Sequence, residues 1–267
     1  MFDLIWVSVS KSGTAPNYNE VRETSAHTSG APSLSIGQEC VLRFQRAASK
    51  IPVYNIGLCV EVHGDVDQVA LVQSLRSVVA RHEAFRSAIY DDCGHAALRI
   101  LSFAEAHEYL LQSFSGCREM TLEAAWQQAT ALAKTPFDFD GRKPLFRCAL
   151  SRTGVERYIL TIVVHHSAFD GWSTSVMLGD LHAQYLSWQN IGLHIDQPLP
   201  IQPSDLAAQA RRRLEDGVKT QRIAYWKEVL RDFCLPRSHA GDAIQESRFY
   251  RGAQLAITVP AATIQQL

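Results

Sequence analysis

The spacing of apolar residues changes from two to three or four between residues 56 and 82. Alternating apolar side chains predict a strand that is buried on one face, at Ile56, Leu58, Val60 and Val62. The positions that follow have helical spacing, at Leu71, Leu75, Val78, Val79 and His82. The pattern therefore predicts a strand and then a helix, capped by Asp65 or Asp67, with the segment RHEAFR at its C-terminal end.

Residues 145–188 show the same change from strand spacing to helix spacing. Two short apolar runs, Leu145–Leu150 and Tyr158–Val164, predict a hairpin or two neighbouring strands. An Asp170–Gly171 turn follows, because glycine tolerates backbone angles that other residues resist. Apolar residues then recur at helical spacing, at Met177, Leu181, Tyr185 and Trp188. We expect Ser173 or Ser175 to cap this helix.

Composition divides the chain into three segments. Residues 1–33 include a long stretch rich in Ser, Thr, Gly, Pro and charge, which predicts a flexible leader or linker. Residues 34–190 contain the periodic patterns described above and predict the first compact unit. Residues 191–267 begin in a second linker rich in Gly and Pro, which extends to Pro203.

Four further elements are predicted outside the two periodic regions. A helix is expected over Thr121–Lys134, with Pro136 stopping it. Its inward side chains are predicted at Leu122, Trp126 and Ala129. Beyond residue 203 the pattern favours a basic helix through Arg211–Arg213 and a second helix around Trp226. A strand is expected at Ala253–Val259.

Charge and cysteine content exclude several function classes. The chain has 26 Lys plus Arg and 27 Asp plus Glu, so it lacks the basic field that nucleic-acid binding needs. Asp3 stands where a secretory signal would carry a basic residue, and the N-terminal apolar run is too short to span a bilayer. Six widely spaced cysteines predict reduced, small core residues. We therefore expect a cytoplasmic protein with no membrane or nucleic-acid partner.

The segment HHSAFDG, residues 165–171, is the strongest candidate for chemistry. Side chains alternate along a strand, so His165 and His166 face opposite sides, one inward and one toward an opening. A metal site is a weaker hypothesis because adjacent strand histidines diverge and no further ligand cluster accompanies them. A nucleophilic triad lacks its serine elbow or a recognisable cysteine. What remains is a histidine that accepts a proton from a bound nucleophile or hydrogen-bonds it.

These residues resemble the HHxxxDG signature of nonribosomal peptide synthetase condensation domains, within the chloramphenicol acetyltransferase-like acyltransferase superfamily. Further segments resemble motifs of that family, in the same order along the chain. They are SLSIGQECVLRF (residues 33–44), VYNIGLCVEVHGDVDQVALVQSLRSVVARHEAFRSAI (53–89), TPFDFDGRKPLFRCAL (135–150) and the Tyr225–Trp226 pair. The resemblance therefore covers about residues 33–267.

The resemblance implies an α/β fold, a mixed sheet with helices forming one chloramphenicol acetyltransferase-like two-layer sandwich lobe. Such domains have two similar lobes with a tunnel between them, so residues 191–267 would hold a linker and an incomplete second lobe. The implied reaction is amide bond formation between an acyl or peptidyl thioester and an aminoacyl thioester. Phosphopantetheine arms on donor and acceptor carrier proteins hold these substrates, next to neighbouring synthetase domains. No cofactor or metal is bound directly.

The resemblance also assigns residue roles. His166 matches the second histidine of the motif and is the expected catalytic residue, as a base or as a group that orients the amine. His165 is expected to be an inward, hydrogen-bonded support, and Gly171 to leave backbone room near the reacting carbonyl.

Asp170 is expected to form a structural salt bridge with Arg86, or alternatively with Arg81. Breaking such a pair, if it is buried, would cost about 3 to 5 kcal/mol. Trp172 and Ser173 are candidates for lining the substrate tunnel or capping the following helix.

Two other functions stay open. A related acyltransferase that uses a diffusible coenzyme A thioester would need a complete second lobe. A catalytically incomplete lobe with a docking or structural role would expose an apolar face and self-associate. The Arg211–Arg213 run predicts an exposed basic face, where an acidic carrier protein could also dock.

Overall fold

A computed structural model describes residues 4–9, 32–47, 51–113, 117–189 and 199–234. Its seven strands are β1 Leu4–Val9, β2 Asn55–His63, β3 Ser87–Asp92, β4 His95–Ile100, β5 Arg118–Glu119, β6 Phe146–Gly154 and β7 Arg157–His165. Its α-helices are α1 Ile36–Ala47, α2 Gln68–Arg81, α3 Phe103–Ser113, α4 Leu122–Lys134, α5 Gly171–Trp188, α6 Pro203–Arg213 and α7 Lys219–Val229. A 3-10 turn at Glu83–Arg86 follows α2, and a π-helical turn at Leu214–Val218 joins α6 to α7.

Five strands form one mixed sheet in the order β1-β2-β7-β6-β5. β7 lies at its centre and is antiparallel to both β2 and β6, whereas β1 and β5 run parallel to their neighbours at the two edges. β3 and β4 form a separate antiparallel hairpin. The expected α/β fold with a mixed sheet is therefore confirmed.

Helices cover both faces of this sheet. Leu58 and Val60 of β2 belong to the apolar cluster that includes residues of α2 and α5. Cys59, between them, points the other way and packs in a cluster with Ala125 and Ala129 of α4. The middle of β2 is consequently buried on both faces, and the prediction of a strand buried on one face was wrong.

The predicted helices occur where periodicity placed them. α2 is capped by Asp67, whose Oδ1 accepts a hydrogen bond from the Ala70 N–H at 3.0 Å. Thr121 caps α4, but the buried face of α4 consists of Ala125, Ala129 and Ala133. Leu122 is 46% exposed, so its predicted inward position was wrong.

The predicted hairpin is formed by β6 and β7. β6 is longer than the predicted run Leu145–Leu150 and extends as far as Gly154, so the turn consists of residues 155–156. The prediction of α5 was correct in position but wrong in its cap. The N-cap is Asp170, not Ser173 or Ser175.

The N-terminal leader prediction was wrong for residues 4–9, because Leu4–Val9 form an edge strand paired in parallel with β2. The run LIWVSV is rich in residues that favour strands, which explains this pairing. Residues 10–31 lie outside the described residues.

Beyond residue 199, α6 and α7 confirm the basic helix and the helix around Trp226. The predicted strand at residues 253–259 lies outside the described residues. The predicted burial of the cysteines was right for Cys59 and Cys148 and wrong for three that are exposed, Cys40, Cys93 and Cys234. Cys117 is partly buried and packs against the main apolar cluster. In the part of the chain that the structure describes, no helix is long and apolar enough to cross a membrane.

Candidate active site

The turn that follows β7 separates the two histidines. The His165 backbone N–H donates to the Leu145 carbonyl oxygen at 3.1 Å, and that of His166 donates to Tyr54 at 2.8 Å. The Ala168 N–H then closes the turn on the His165 carbonyl oxygen at 2.9 Å. His165 is 1% exposed, whereas His166 is exposed, so the two rings lie on opposite sides of the chain.

His165 is held as a neutral imidazole inside the protein. Its Nδ1 accepts hydrogen bonds from the backbone N–H of Ser167 at 3.2 Å and from the Ser167 hydroxyl at 2.8 Å. The ring proton is therefore on Nε2, and the imidazole packs edge-to-face against the rings of Tyr54, Phe137 and Phe139. Burial, and then the charge of His166, lower the pKa of His165 to about 4.

In His166 the ring proton is on Nδ1, whereas in His165 it is on Nε2. The Nδ1 atom of His166 lies 2.9 Å from the carbonyl oxygen of Phe169. Because a carbonyl oxygen can only accept, Nδ1 carries the proton, and the neutral ring leaves a lone pair on Nε2. The ring also packs edge-to-face on Tyr54, with the centroids 6.2 Å apart. The imidazole is thus oriented by two contacts that leave Nε2 available.

His166 lines a cavity of about 630 Å³. Most of its wall residues come from the start of α1, the turn after α2, the HHSAFDG loop and α6, and single residues come from β3 (Ser87), β4 (Leu98) and α5 (Ser173). They include Ser35, Gly37, Gln38, Val41, Glu83, Ala84, Ser87, Ser167, Ala168, Phe169, Asp170, Ser173, Pro203, Ser204, Leu206, Ala207 and Ala210. The walls mix apolar side chains with a few polar ones, which is typical of sites for small organic groups.

Gln38 links α1 to the histidine loop. The Ser35 N–H donates to Gln38 Oε1 at 2.8 Å, and the Gln38 N–H donates to the Ser35 hydroxyl at 3.1 Å. This reciprocal pair is a capping box at the start of α1. The side-chain nitrogen of Gln38 then donates to the Ser167 carbonyl oxygen at 2.7 Å. Sequence reasoning assigned Gln38 no role, although the spacing Ser-x-x-Gln is a capping signal.

The expected salt bridge of Asp170 is replaced by a helix cap. Asp170 Oδ1 accepts from the Ser173 N–H at 2.8 Å and from the Ser173 hydroxyl at 2.7 Å. These two bonds lower the pKa of Asp170. The carboxylate is exposed and sits at the N-terminus of α5. Removing such a cap costs about 1 kcal/mol, less than the loss expected for a broken buried pair.

The two arginines expected beside Asp170 have other partners. Arg86 donates from Nε to the Val79 carbonyl oxygen at 3.1 Å and from Nη1 to that of Leu101 at 2.9 Å. Burial lowers the pKa of Arg86, and the charge of Glu83 partly opposes that effect. Arg81 forms an ion pair with Asp180, with its Nε 3.1 Å from the carboxylate. Both arginines therefore fix α2 and the turn after it rather than the histidine loop.

Three other predicted positions differ in their exposure. Gly171 is exposed at the first turn of α5 and is outside the left-handed region, and a Cβ there would meet no atom within 4 Å. The room it leaves therefore opens to solvent. Ser173 lines the cavity, whereas Trp172 is 82% exposed and is not among the cavity residues.

The basic run on α6 is only partly a free surface. Arg211 donates from Nε to the Leu34 carbonyl oxygen at 2.7 Å and forms an ion pair with Glu39 of α1. Arg212 and Arg213 are exposed. Across the described ranges, no cluster of three or more His, Cys, Asp or Glu side chains could hold a metal ion.

Comparisons with known proteins agree with this architecture. A family model described as Condensation domain matches residues 29–267. A linear gramicidin synthase polypeptide of Brevibacillus parabrevis is 32% identical over 228 residues, covering 84% of this chain and 3% of that protein. The dimodular nonribosomal peptide synthase of Bacillus subtilis is 29% identical over 227 residues, covering 76% of this chain and 9% of that protein.

Solved structures show the same fold. The starter condensation domain of rhizomide synthetase RzmA superposes with a TM-score of 0.65 at 19% identity, covering 78% of this chain and 50% of that structure. The X-domain from teicoplanin biosynthesis gives a TM-score of 0.64 at 23% identity, covering 76% of this chain and 44% of that structure.

The chain therefore spans about half of these solved domains and a small part of the much longer synthases. The family model covers most of the chain, and the matched residues include the histidine loop at 165–171. The chain thus belongs to the condensation-domain family of nonribosomal peptide synthetases.

Proposed function

We propose that this chain supplies His166 to amide bond formation between two carrier-protein-bound thioesters. The donor is an acyl or peptidyl thioester, and the acceptor is an aminoacyl thioester with a free amine. The observation that carries the proposal is the oriented imidazole of His166, with its Nδ1–H held by the Phe169 carbonyl oxygen and its Nε2 lone pair available beside a cavity of about 630 Å³.

In the proposed reaction, His166 carries one proton from the attacking amine to the leaving sulfur. The acceptor nitrogen attacks the donor carbonyl carbon, and its proton passes to Nε2 of His166. The tetrahedral intermediate then expels the phosphopantetheine sulfur, which takes a proton from the imidazolium and leaves as a thiol. The Phe169 carbonyl oxygen favours the imidazolium, because it stays hydrogen-bonded to Nδ1–H throughout.

The same geometry supports a positioning role. An imidazole fixed at Nδ1 and packed on Tyr54 can accept a hydrogen bond from the amine and align it before bond formation. Holding two tethered reactants in line can contribute effective molarities on the order of 10⁵ M or more. The base and positioning roles share one nitrogen atom, so both predict the same sensitive residue.

The test is His166→Ala in a synthetase module that contains this chain, assayed with loaded donor and acceptor carrier proteins. Product formation, measured by mass spectrometry, should fall about 100-fold or more, while circular dichroism stays unchanged. His95→Ala, at an exposed position at the start of β4, is the matched control and should keep full activity. Retained turnover in His166→Ala would rule out the proposed role.

A docking role is the second candidate. It is favoured by the exposed apolar residues of α7 and the turn after it, including Tyr225, Trp226 and Phe233, which could bind another domain. The X-domain with a similar fold is described in a complex with OxyB. If docking were the function, the His166→Ala module would behave like the unsubstituted one.

A further inference from the structure

We infer that Glu83 is a positioning residue that clamps α6 in place as one wall of the His166 cavity. Glu83 is 7% exposed and lines the cavity together with His166. It acts on the substrates through α6 and not by direct contact with the reacting atoms. The inference concerns how the site is assembled, and its link to turnover rests on the proposed function.

The clamp begins at the carboxylate of Glu83. Its Oε1 accepts a hydrogen bond from the backbone N–H of Ser204 at 2.6 Å. Ser204 lies in the first turn of α6, where backbone N–H groups have no partner inside the helix. A negative charge at this end is also favoured by the helix dipole. A carboxylate is therefore well matched to this position.

Gln202 completes the connection. Its side-chain nitrogen donates to the Arg81 carbonyl oxygen at 2.9 Å, and its Oε1 accepts from the Glu83 backbone N–H at 3.2 Å. Asp205 Oδ2 in turn accepts from the Gln202 N–H at 3.0 Å. Three hydrogen bonds thus join the end of α2 to the start of α6, across about 120 residues of sequence.

The other end of α6 is fixed separately. Arg211 binds the Leu34 carbonyl oxygen and Glu39, so α6 is held to α2 at one end and to α1 at the other. Between these two attachments, Leu206, Ala207 and Ala210 face the cavity. Loss of the hydrogen bond between the Glu83 carboxylate and Ser204 would therefore loosen one wall of the cavity that His166 also lines.

His166 itself does not depend on this clamp. Its ring is oriented by the Phe169 carbonyl oxygen and by Tyr54, neither of which contacts α6 through a described hydrogen bond. Loss of Glu83 should consequently weaken substrate binding while leaving the chemical step nearly intact. This separation makes the inference testable in two independent measurements.

The first measurement is hydrogen exchange by mass spectrometry on the 267-residue chain. In Glu83→Ala, exchange across Pro203–Arg213 should accelerate about tenfold or more, because a hydrogen bond to a charged group is lost. Peptides from β7 should keep their protection. Glu83→Gln should stay within about threefold of the unsubstituted chain, since an amide oxygen can still accept from Ser204.

Glu123→Ala is the matched control for this measurement, because Glu123 is an exposed glutamate in the first turn of α4. It should leave exchange in α6 unchanged. Unchanged exchange in α6 of Glu83→Ala, or equal acceleration in α6 and β7, would overturn the clamp.

The second measurement is steady-state kinetics in a synthetase module that contains the chain. Glu83→Ala should raise KM about tenfold for at least one thioester and keep kcat within about twofold. A fall in kcat with unchanged KM would overturn positioning and place Glu83 in the chemistry. If His166→Ala stays active while α6 loosens in Glu83→Ala, the proposed function fails and the clamp stands.

Discussion

Two adjacent histidines at the end of β7 carry their ring protons on different nitrogens. His165 accepts at Nδ1 from Ser167 and keeps its proton on Nε2 among aromatic rings. His166 donates from Nδ1 to the Phe169 carbonyl oxygen and keeps a lone pair on Nε2. The alternation of a strand puts the first ring in the core and the second at the cavity. One dipeptide therefore provides both the support and the candidate reactive group.

Burial of His165 makes stability depend on pH. The folded pKa is about 4 and the ordinary value is 6.5, so the unfolded chain binds more protons between these values. The contribution of His165 is intact above pH 6.5 and is lost as the pH falls toward 4. From pH 7.5 to pH 5 the loss is about 2 kcal/mol.

Urea unfolding of the 267-residue chain at these two pH values measures the effect. The free energy of unfolding should fall less between pH 7.5 and pH 5 in His165→Gln than in the unsubstituted chain, by about 2 kcal/mol. This difference does not depend on how stable the variant is at pH 7.5. Comparing this change between the two chains removes the contribution of the carboxylates and of the other histidines, which both chains share. An equal change in the free energy of unfolding in both chains would mean that His165 is not a buried neutral group.

At the residue scale, the candidate histidine loop was easier to find from the sequence than the contacts that surround it. A doubled histidine before Asp-Gly is unusual enough to be found without coordinates. The partner of Asp170 was not predictable, because one carboxylate can serve either a distant arginine or a local cap. Asp is a favoured N-cap residue, so a signal for the cap was present, but it did not exclude an arginine partner. Glu83 gave no such signal, since its partner Ser204 lies far along the chain.

At the scale of elements, α4 shows why periodicity found helices more reliably than their buried faces. The helix packs Ala125, Ala129 and Ala133 on the sheet, while Leu122 remains exposed. Small side chains let α4 approach the sheet closely, and hydrophobicity alone ranks leucine above alanine. The burial of β2 on its second face was missed because small side chains of α4 cover Cys59 there, and they gave no strong hydrophobic signal.

The close packing of α4 predicts a sharp difference between two alanines. Ala129 is 1% exposed against the sheet, so Ala129→Leu should overpack the contact and destabilise the fold by about 1–3 kcal/mol. Ala131→Leu, on the exposed side of the same helix, should change the free energy of unfolding by less than about 0.5 kcal/mol. Urea denaturation of both variants checks the result. Equal effects would contradict the assigned face.

At the scale of the whole molecule, helices cover both faces of the sheet, whereas the apolar side chains of α7 are left exposed. None of the side chains of α7 is buried in the part of the chain that the structure describes. Six large apolar residues are exposed on this helix and the turn after it. They are Ile223, Tyr225, Trp226, Val229, Leu230 and Phe233. The order of elements was predictable from sequence, but which helix keeps its apolar side chains exposed depends on contacts across the whole fold.

This exposed face predicts self-association of the 267-residue chain. The formal net charge is −1, so repulsion between copies is weak and apolar contact can dominate. Sedimentation velocity should show a mass above 29.8 kDa that rises with concentration. Because the contact is apolar, about 1 M salt should not dissociate it.

Two substitutions identify the surface responsible for that association. Trp226→Lys combined with Phe233→Lys should return the chain to the mass of a single copy, because both residues are more than half exposed on the apolar face. Val155→Lys is the control, since Val155 is 83% exposed and belongs to the β6–β7 turn rather than to α7. A single-copy mass at every concentration in the unsubstituted chain would show that α7 is covered within the chain itself.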